Sequence, residues 1–345
     1  MDLKQALVTA AQYADQRHLS LGNISALGGR ISATNGTSGV EVPCPAIDGM
    51  AFAVDAKHWL AQVSALAPPI VLRVDDGKLI TSAKGAHFSI QIDTEERTPA
   101  RRAVPKTGWV PRSAEVIQTL ATIAGVVPDK PGAGAHQLTG VRITPHFVMG
   151  GNSNRFVISR IGGLVEKPVI VPPALFTGIG GECEMCVQAT SAWIRTPDGE
   201  IRWVALLDGD YPDDVDSGLI PAIKSGTPTQ LDIGELARVA AVALIEFDGV
   251  GGLLVEVGGG ALRIKGGAHG GISSVNVAMD LAVQAATGKV GLNPRYLADA
   301  AAAMAQAVGG DATCRFWIGE AKTPVLFANG APGIEVIVGP VLIDG

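Results

Sequence analysis

Apolar residues recur with a helical period in three places along the chain. Leu3, Ala6, Leu7, Ala10, Ala11 and Ala14 form one stripe, and Val116, Ile117, Leu120, Ile123, Ala124 and Val127 form a second. Leu236, Val239, Ala240, Ala243 and Leu244 form the third. Each stripe has the spacing of a helix laid against a sheet. A further helix start follows in each case, after a short apolar strand. Met50–Asp55 leads into Ala56–Leu66, Val169–Pro172 into Pro173–Gly178, and Val290–Asn293 into Pro294–Val308. Asp55 and Asn293 are good N-caps and Pro172 suits a first turn, so all three positions predict helix entries.

Behind each entry come strand-like runs. They are 70–74, 78–82 and 87–92; then 183–189, 192–195 and 201–207; then 313–318, 325–328 and 335–341. Asp75-Asp76-Gly77, Pro197-Asp198-Gly199 and Asn329-Gly330 connect them with hairpin chemistry. The whole pattern repeats at intervals of roughly 120 residues, which is the size of a domain. The charged stretch Asp93–Lys106 and the stretch Ala222–Thr229 read as linkers. The expectation is an α+β chain of three tandem domains, 1–104, 105–224 and 225–345, each with two helices packed on antiparallel sheets.

Composition narrows the function classes. At 47% apolar and 17% charged over 345 residues, each third can bury a core, and the 44 glycines sit in short clusters between strands as turns do. The net charge of −6 excludes a surface that coats nucleic acid throughout, but it permits local basic residues. Asp2 and Lys4 interrupt any secretory leader at the N-terminus, and no uncharged apolar run reaches the about 18 residues a bilayer span needs. With four cysteines in so long a chain, no disulfide scaffold is expected, and the expected compartment is the cytoplasm.

Candidate chemistry changes this picture little. Cys183-Glu184-Met185-Cys186 lacks a second ligand pair for zinc, and it lies in a strand-like run where a redox motif would open a helix. Gly249–Gly252 and Gly258–Gly260 lack the Lys of a phosphate loop and read as turns. The six histidines show no metal-ligand spacing. No catalytic residue, metal or cofactor is expected, and the chain reads as a non-enzyme.

Several short motifs fall in order along the threefold repeat. They are Leu21-Gly22-Asn23, Ile31–Gly36 and Lys84–Ser89; Asn154-Arg155-Phe156 and Gly209–Asp213; and Leu292–Leu297, Thr323–Leu326 and Val338–Leu342. On these the chain resembles, over nearly its whole length, the bacterial-type β sliding clamp, the processivity subunit of the replicative DNA polymerase. The resemblance implies clamp-type domains and a head-to-tail homodimer closed into a ring, with helices lining the hole. Its partners would be double-stranded DNA, held topologically without sequence preference, and a DNA polymerase and clamp loader that dock by short peptide motifs. No membrane partner is implied.

By the same resemblance, a partner-peptide cleft would comprise Leu138, Asn154, Arg155, Phe156, Pro212, Asn293, Tyr296, Pro324, Val338, Pro340 and Val341. Phe156, Val338 and Val341 read equally well as core. Basic residues on or beside helices, Lys4, Arg17, Lys57, Arg112, Arg238 and Arg295, are the candidates to face DNA. Leu244 and Ile245 are the candidates for the seam between protomers. The chain departs from the family where Asn154 replaces a His, where Asp214-Val215-Asp216 replaces basic residues, and in its C-terminal Gly339-Pro340-Val341-Leu342-Ile343. The rival readings are a β-rich assembly protein that never encircles DNA, and an enzyme using Cys186 and His146.

Overall fold

A computed structural model describes the chain except residues 16–20, 94–100, 129–135, 153, 213, 247–251, 268–273, 281–286, 309–312, 320–321, 330–332 and 342–345. Arg17, Gly330 and half of the first expected linker lie outside the described residues.

The chain opens with α1 (Leu3–Ala11), β1 (Asn23–Leu27), β2 (Arg30–Thr34), β3 (Ser38–Pro43), β4 (Ala51–Asp55), α2 (Ala56–Ala65), β5 (Val71–Asp75), β6 (Lys78–Ala83) and β7 (Ala86–Gln91). Next come β8 (Val110–Arg112), α3 (Ala114–Val126), β9 (Val141–Ile143), β10 (Val148–Asn152), β11 (Arg155–Ser159) and β12 (Val169–Val171). β13 (Cys183–Val187), β14 (Ser191–Arg195), β15 (Ile201–Ala205) and α4 (Ile220–Lys224) follow. The last part holds β16 (Thr229–Asp232), α5 (Ile233–Glu246), β17 (Leu253–Gly258), β18 (Ala261–Gly267), β19 (Ser274–Asp280) and β20 (Gly288–Leu292). It closes with α6 (Pro294–Val308), β21 (Thr313–Trp317), β22 (Val325–Ala328) and β23 (Ile334–Val338).

Two compact units result, Met1–Ile117 with Gly180–Leu206, and Gln118–Ile179 with Leu207–Gly345. The first holds an antiparallel eight-stranded sheet in the order β4-β1-β2-β3-β15-β14-β13-β8 and a three-stranded sheet β5-β6-β7. The α1 stripe is buried at Leu3, Ala6, Leu7 and Ala10, and α1 packs on β2, β3 and α2. Each helix is capped by the carboxylate that precedes it. Asp2 accepts from Gln5 N at 2.8 Å and Asp55 from His58 N at 2.7 Å. Below them Trp59 meets Phe52 edge to face at 5.2 Å. The join between β3 and β15 places Gly39 opposite Trp203, and a Cβ there would lie 2.5 Å from the indole nitrogen, so only glycine fits.

The second unit holds an eight-stranded sheet β12-β9-β10-β11-β23-β22-β21-β16 and a four-stranded sheet β19-β18-β17-β20. Helices α5 and α6 pack together, and α6 also lies on β23. Gly150 on β10 lets α3 approach closely, since a Cβ would stand 2.6 Å from Ile123. Each large sheet thus draws strands from two of the three repeats, β1–β4 with β8 and β13–β15, and β9–β12 with β16 and β21–β23.

Two local expectations need correction. The helix expected over Pro173–Gly178 is a single 3₁₀ turn, Pro173–Leu175. Gly178 and Gly181 take positive φ, so the turn does not propagate, although Leu175, Phe176 and Ile179 are all buried. Half of the second expected linker, Ala222–Thr229, is taken up by the end of α4 and the start of β16, leaving 225–228 between them.

Candidate functional site

All eleven residues expected at a partner cleft fall in the second unit. Strand β11 runs beside β23 with Arg155 opposite Val338 and Phe156 opposite Ile337. Alternation along the strand then sends successive side chains to opposite faces. Phe156 enters the packed cluster of Met149, Ile158, Trp317, Leu326 and Ile337, and is 9% exposed. Val338 is fully buried. For these two the core reading of the sequence describes their surroundings.

Arg155 emerges on the other side, toward α6. Asn293 opens that helix by accepting from Arg295 N at 2.9 Å, which sets Tyr296 and Asp299 one turn apart on one face. The Arg155 guanidinium lies 4.8 Å over the Tyr296 ring, pairs with Asp299, and donates to the Val126 carbonyl at 3.4 Å. Its side chain is 12% exposed, and burial pushes the guanidinium below its ordinary value. An arginine so shifted remains a cation. The exposed Asn154 donates from its amide to the Tyr296 hydroxyl at 3.4 Å, and its carbonyl accepts from Gly339 N at 2.6 Å. Val341 N donates to Gly291 O at 2.8 Å, which holds the stretch after β23 against β20. Leu138, Pro212, Pro324, Pro340 and Val341 are half-buried.

Sequence reasoning missed Asp299 and a second charged group nearby. The three-residue spacing from Tyr296 to Asp299 was the available signal for the first. For the second there was none, because its members are far apart in sequence. Arg160, just after β11, pairs with Asp216 at 2.5 Å and with Glu335 of β23 at 2.8 Å, and Lys224 of α4 also binds Glu335. Burial opposes ionisation of Glu335, but the hydrogen bonds from Lys224 and Arg160 more than offset it and hold the carboxyl below its usual range. Beside this network Tyr211, Val215 and Ile220 are buried in the same cluster as Phe156.

The other candidates are placed as follows. Lys4 and Lys57 are exposed on the packed pair α1 and α2, and Arg238 and Arg295 are exposed on the packed pair α5 and α6. Arg238 is tied to Glu235 at 2.8 Å. Arg112 is half-buried at the end of β8, where burial lowers its pKa. It borders a hollow of about 430 Å³ that Cys183 and the Glu184–Arg195 ion pair also line. Leu244 is 37% exposed on α5; the structure describes Ile245 only as a helical backbone. Phe88, on the edge strand β7 of the first unit, is also 37% exposed and escaped sequence reasoning.

Nucleophile chemistry finds little support. Cys186 is buried in β13 with its thiol donating toward Thr107 O at 3.6 Å, and burial pushes its pKa up, where an activated thiol needs it lowered. Among the described residues no three His, Cys, Asp or Glu side chains gather as metal ligands, and no helix is long and apolar enough to cross a membrane.

Two large antiparallel sheets, each drawing strands from two of the three expected repeats and packed against helices, have the fold of a β sliding clamp. Among solved structures the chain is similar to the DNA polymerase sliding clamp of Bacillus subtilis, with a TM-score of 0.81 and 16% identity, covering 99% of this chain and 97% of that one. It is also similar to the DNA polymerase beta subunit of Streptococcus pyogenes (TM-score 0.78, 15% identity, 99% and 97% covered). The Helicobacter pylori beta clamp bound to a DNA ligase peptide gives a TM-score of 0.79 at 13% identity, with 99% and 98% covered. No protein-family model and no curated protein sequence matches the chain.

Proposed function

We propose that this protein is a DNA sliding clamp, a non-catalytic processivity factor of the cytoplasm that encircles duplex DNA and tethers a polymerase. The observation that carries the reading is the likeness of fold over 99% of the chain to replication clamps. The division into three clamp domains at 1–104, 105–224 and 225–345 belongs to this reading, since each large sheet joins strands on either side of one such boundary.

A ring needs two complementary ends. Phe88 on an edge strand of the first unit and Leu244 on α5 of the second are exposed apolar side chains, as suits a head-to-tail seam between two copies. Within the ring, Lys4, Lys57, Arg238 and Arg295 on the helix pairs would meet phosphates through weak, salt-screened contacts. Arg17, Arg112 and Ile245 complete the proposed sets. Encirclement makes such contacts sufficient, and this reconciles a DNA partner with a net charge of −6.

Partner peptides, from a polymerase or a clamp loader, would dock among Arg155, Tyr296, Asn154, Pro324, Pro340, Val341, Leu138 and Pro212, with Asn293 fixing α6 beside them, Val338 on the Arg155 face of β11 and β23, and Phe156 on the other. The Helicobacter pylori clamp carries a DNA ligase peptide, which supports a peptide-binding role for this fold. The deciding experiment loads the protein on nicked circular DNA with a clamp loader and isolates the complex by gel filtration. Retention on circles and loss after linearisation is the expected outcome; equal retention on both forms would reject encirclement.

A further inference from the structure

The segment from Asp214 to Lys224 is built from parts that hold poorly alone. A five-residue π-helical stretch, Val215–Leu219, runs directly into the five-residue α4, and Gly218 sits inside the first. π-helical turns are rare and weak, and helices this short are marginal without packing. Asp214, Ser217, Gly218, Pro221 and Ala222 are exposed, so the segment lies across the surface of its unit.

What holds it is tertiary and sits at both ends. Asp216 is bound by Arg160 and Lys224 binds Glu335, while the Trp317 indole donates to Gly226 O at 3.2 Å just beyond. Between these ties Val215 and Ile220 are 5% and 2% exposed in the cluster that contains Phe156, and α4 packs on β22. The ionic arrangement is separable. Arg160 and Glu335 also pair with each other at 2.8 Å, so lifting the segment removes one anion and one cation and leaves a neutral pair behind. An apolar surface around Phe156 would then be open, on the face of β11 opposite Arg155.

We infer that residues 214–224 form a strap that occupies the apolar part of the partner cleft in the resting protein, and that a partner peptide binds by taking its place. The inference rests on the cleft reading given above. The peptide it suits is short, with two apolar side chains and no charge between them, because the exposed surface is apolar and the remaining charges already have partners. Binding is weakened by the fraction of time the strap is closed.

The test uses the full-length protein with two variants of opposite sign. Asp216→Asn with Lys224→Met cuts both ties without changing net charge. Gly218→Ala stiffens the strap, since a Cβ there meets nothing within 4 Å. Amide hydrogen exchange is followed across the chain, and binding of a fluorescent form of the DNA ligase peptide of the Helicobacter pylori clamp is read by anisotropy. In the double variant, amides 215–223 should exchange at least tenfold faster while those of β11 and β23 hold, and the peptide should bind at least fivefold tighter. Gly218→Ala should slow the same amides and weaken the peptide severalfold. If the strap loosens only together with β11 and β23, it is ordinary core and the proposal falls. The proposal also falls if the strap is released with no change in affinity for a peptide that the parent binds. Release of the strap with no peptide bound by any form would overturn the cleft reading, and the gating role with it.

Discussion

The guanidinium of Arg155 is sandwiched by one helix: its carbon stands 4.8 Å over the Tyr296 ring, and its nitrogen pairs with Asp299 a turn later. Stacking and forked hydrogen bonding both depend on a planar cation. Arg155→Lys keeps the charge and loses the plane. We expect it to lower unfolding stability by about 1–2 kcal/mol, measured in urea. A variant as stable as the parent would show that charge alone matters here.

Glu335 gives a pH dependence with a definite sign. Its carboxyl is held below its ordinary range in the folded protein, so the unfolded chain binds the proton more tightly. The stability it contributes is complete above the ordinary value of about 4.3 and is lost as pH falls through the depressed one. Glu335→Gln should therefore be less stable than the parent at pH 7 by about 1–3 kcal/mol. The gap should close on acidification. Urea midpoints measured from pH 7 down to pH 3.5 check this, and a gap that stays constant would rule it out.

The seam is open to a symmetrical test. Leu244→Asp with Ile245→Asp alters one end of the proposed interface, and Phe88→Asp alters the other. A charge buried at an apolar seam costs more than a small interface can offset. Each variant should sediment as a monomer at concentrations where the parent is a dimer. Dimers persisting in both would place the interface elsewhere.

All four cysteines are free and buried, and desolvation pushes Cys183 up to about 11 and Cys314 up to about 12. Only the thiolate attacks an aromatic disulfide reagent. At pH 8 the thiols should label only as fast as the protein opens, and all four should label at once in denaturant. One thiol reacting fast in the native protein would reveal an activated site.

Much of the architecture could be read from local pattern. The stripes at Leu3–Ala14, Val116–Val127 and Leu236–Leu244 lie on α1, α3 and α5, and the hairpin signals at Gly77 and Gly199 lie at real turns. Strand limits fell within a few residues, because alternation and turn chemistry are encoded nearby. The helix after Pro172 failed for the same reason: the entry signal was present, but the glycines behind it prevent propagation. Side-chain partners were another matter. Arg155 could be singled out in the sequence and only the spacing from Tyr296 pointed to Asp299, while nothing local ties Arg160 to Asp216, Glu335 and Lys224. Those contacts depend on how strands far apart in sequence come together.

The pairing of β3 with β15 also bears on how the chain is made. Gly39 meets Trp203, and Phe156 meets Ile337. A ribosome must add roughly 160 residues after β3 before its partner exists, a delay on the order of 10–30 s at ordinary elongation rates. Throughout that interval the nascent chain carries an unfilled strand edge able to recruit other chains. The second sheet imposes the same wait again, since β23 follows β11 by roughly 175 residues. A fragment ending in the middle third, with β3 still unpaired, should therefore be prone to aggregate.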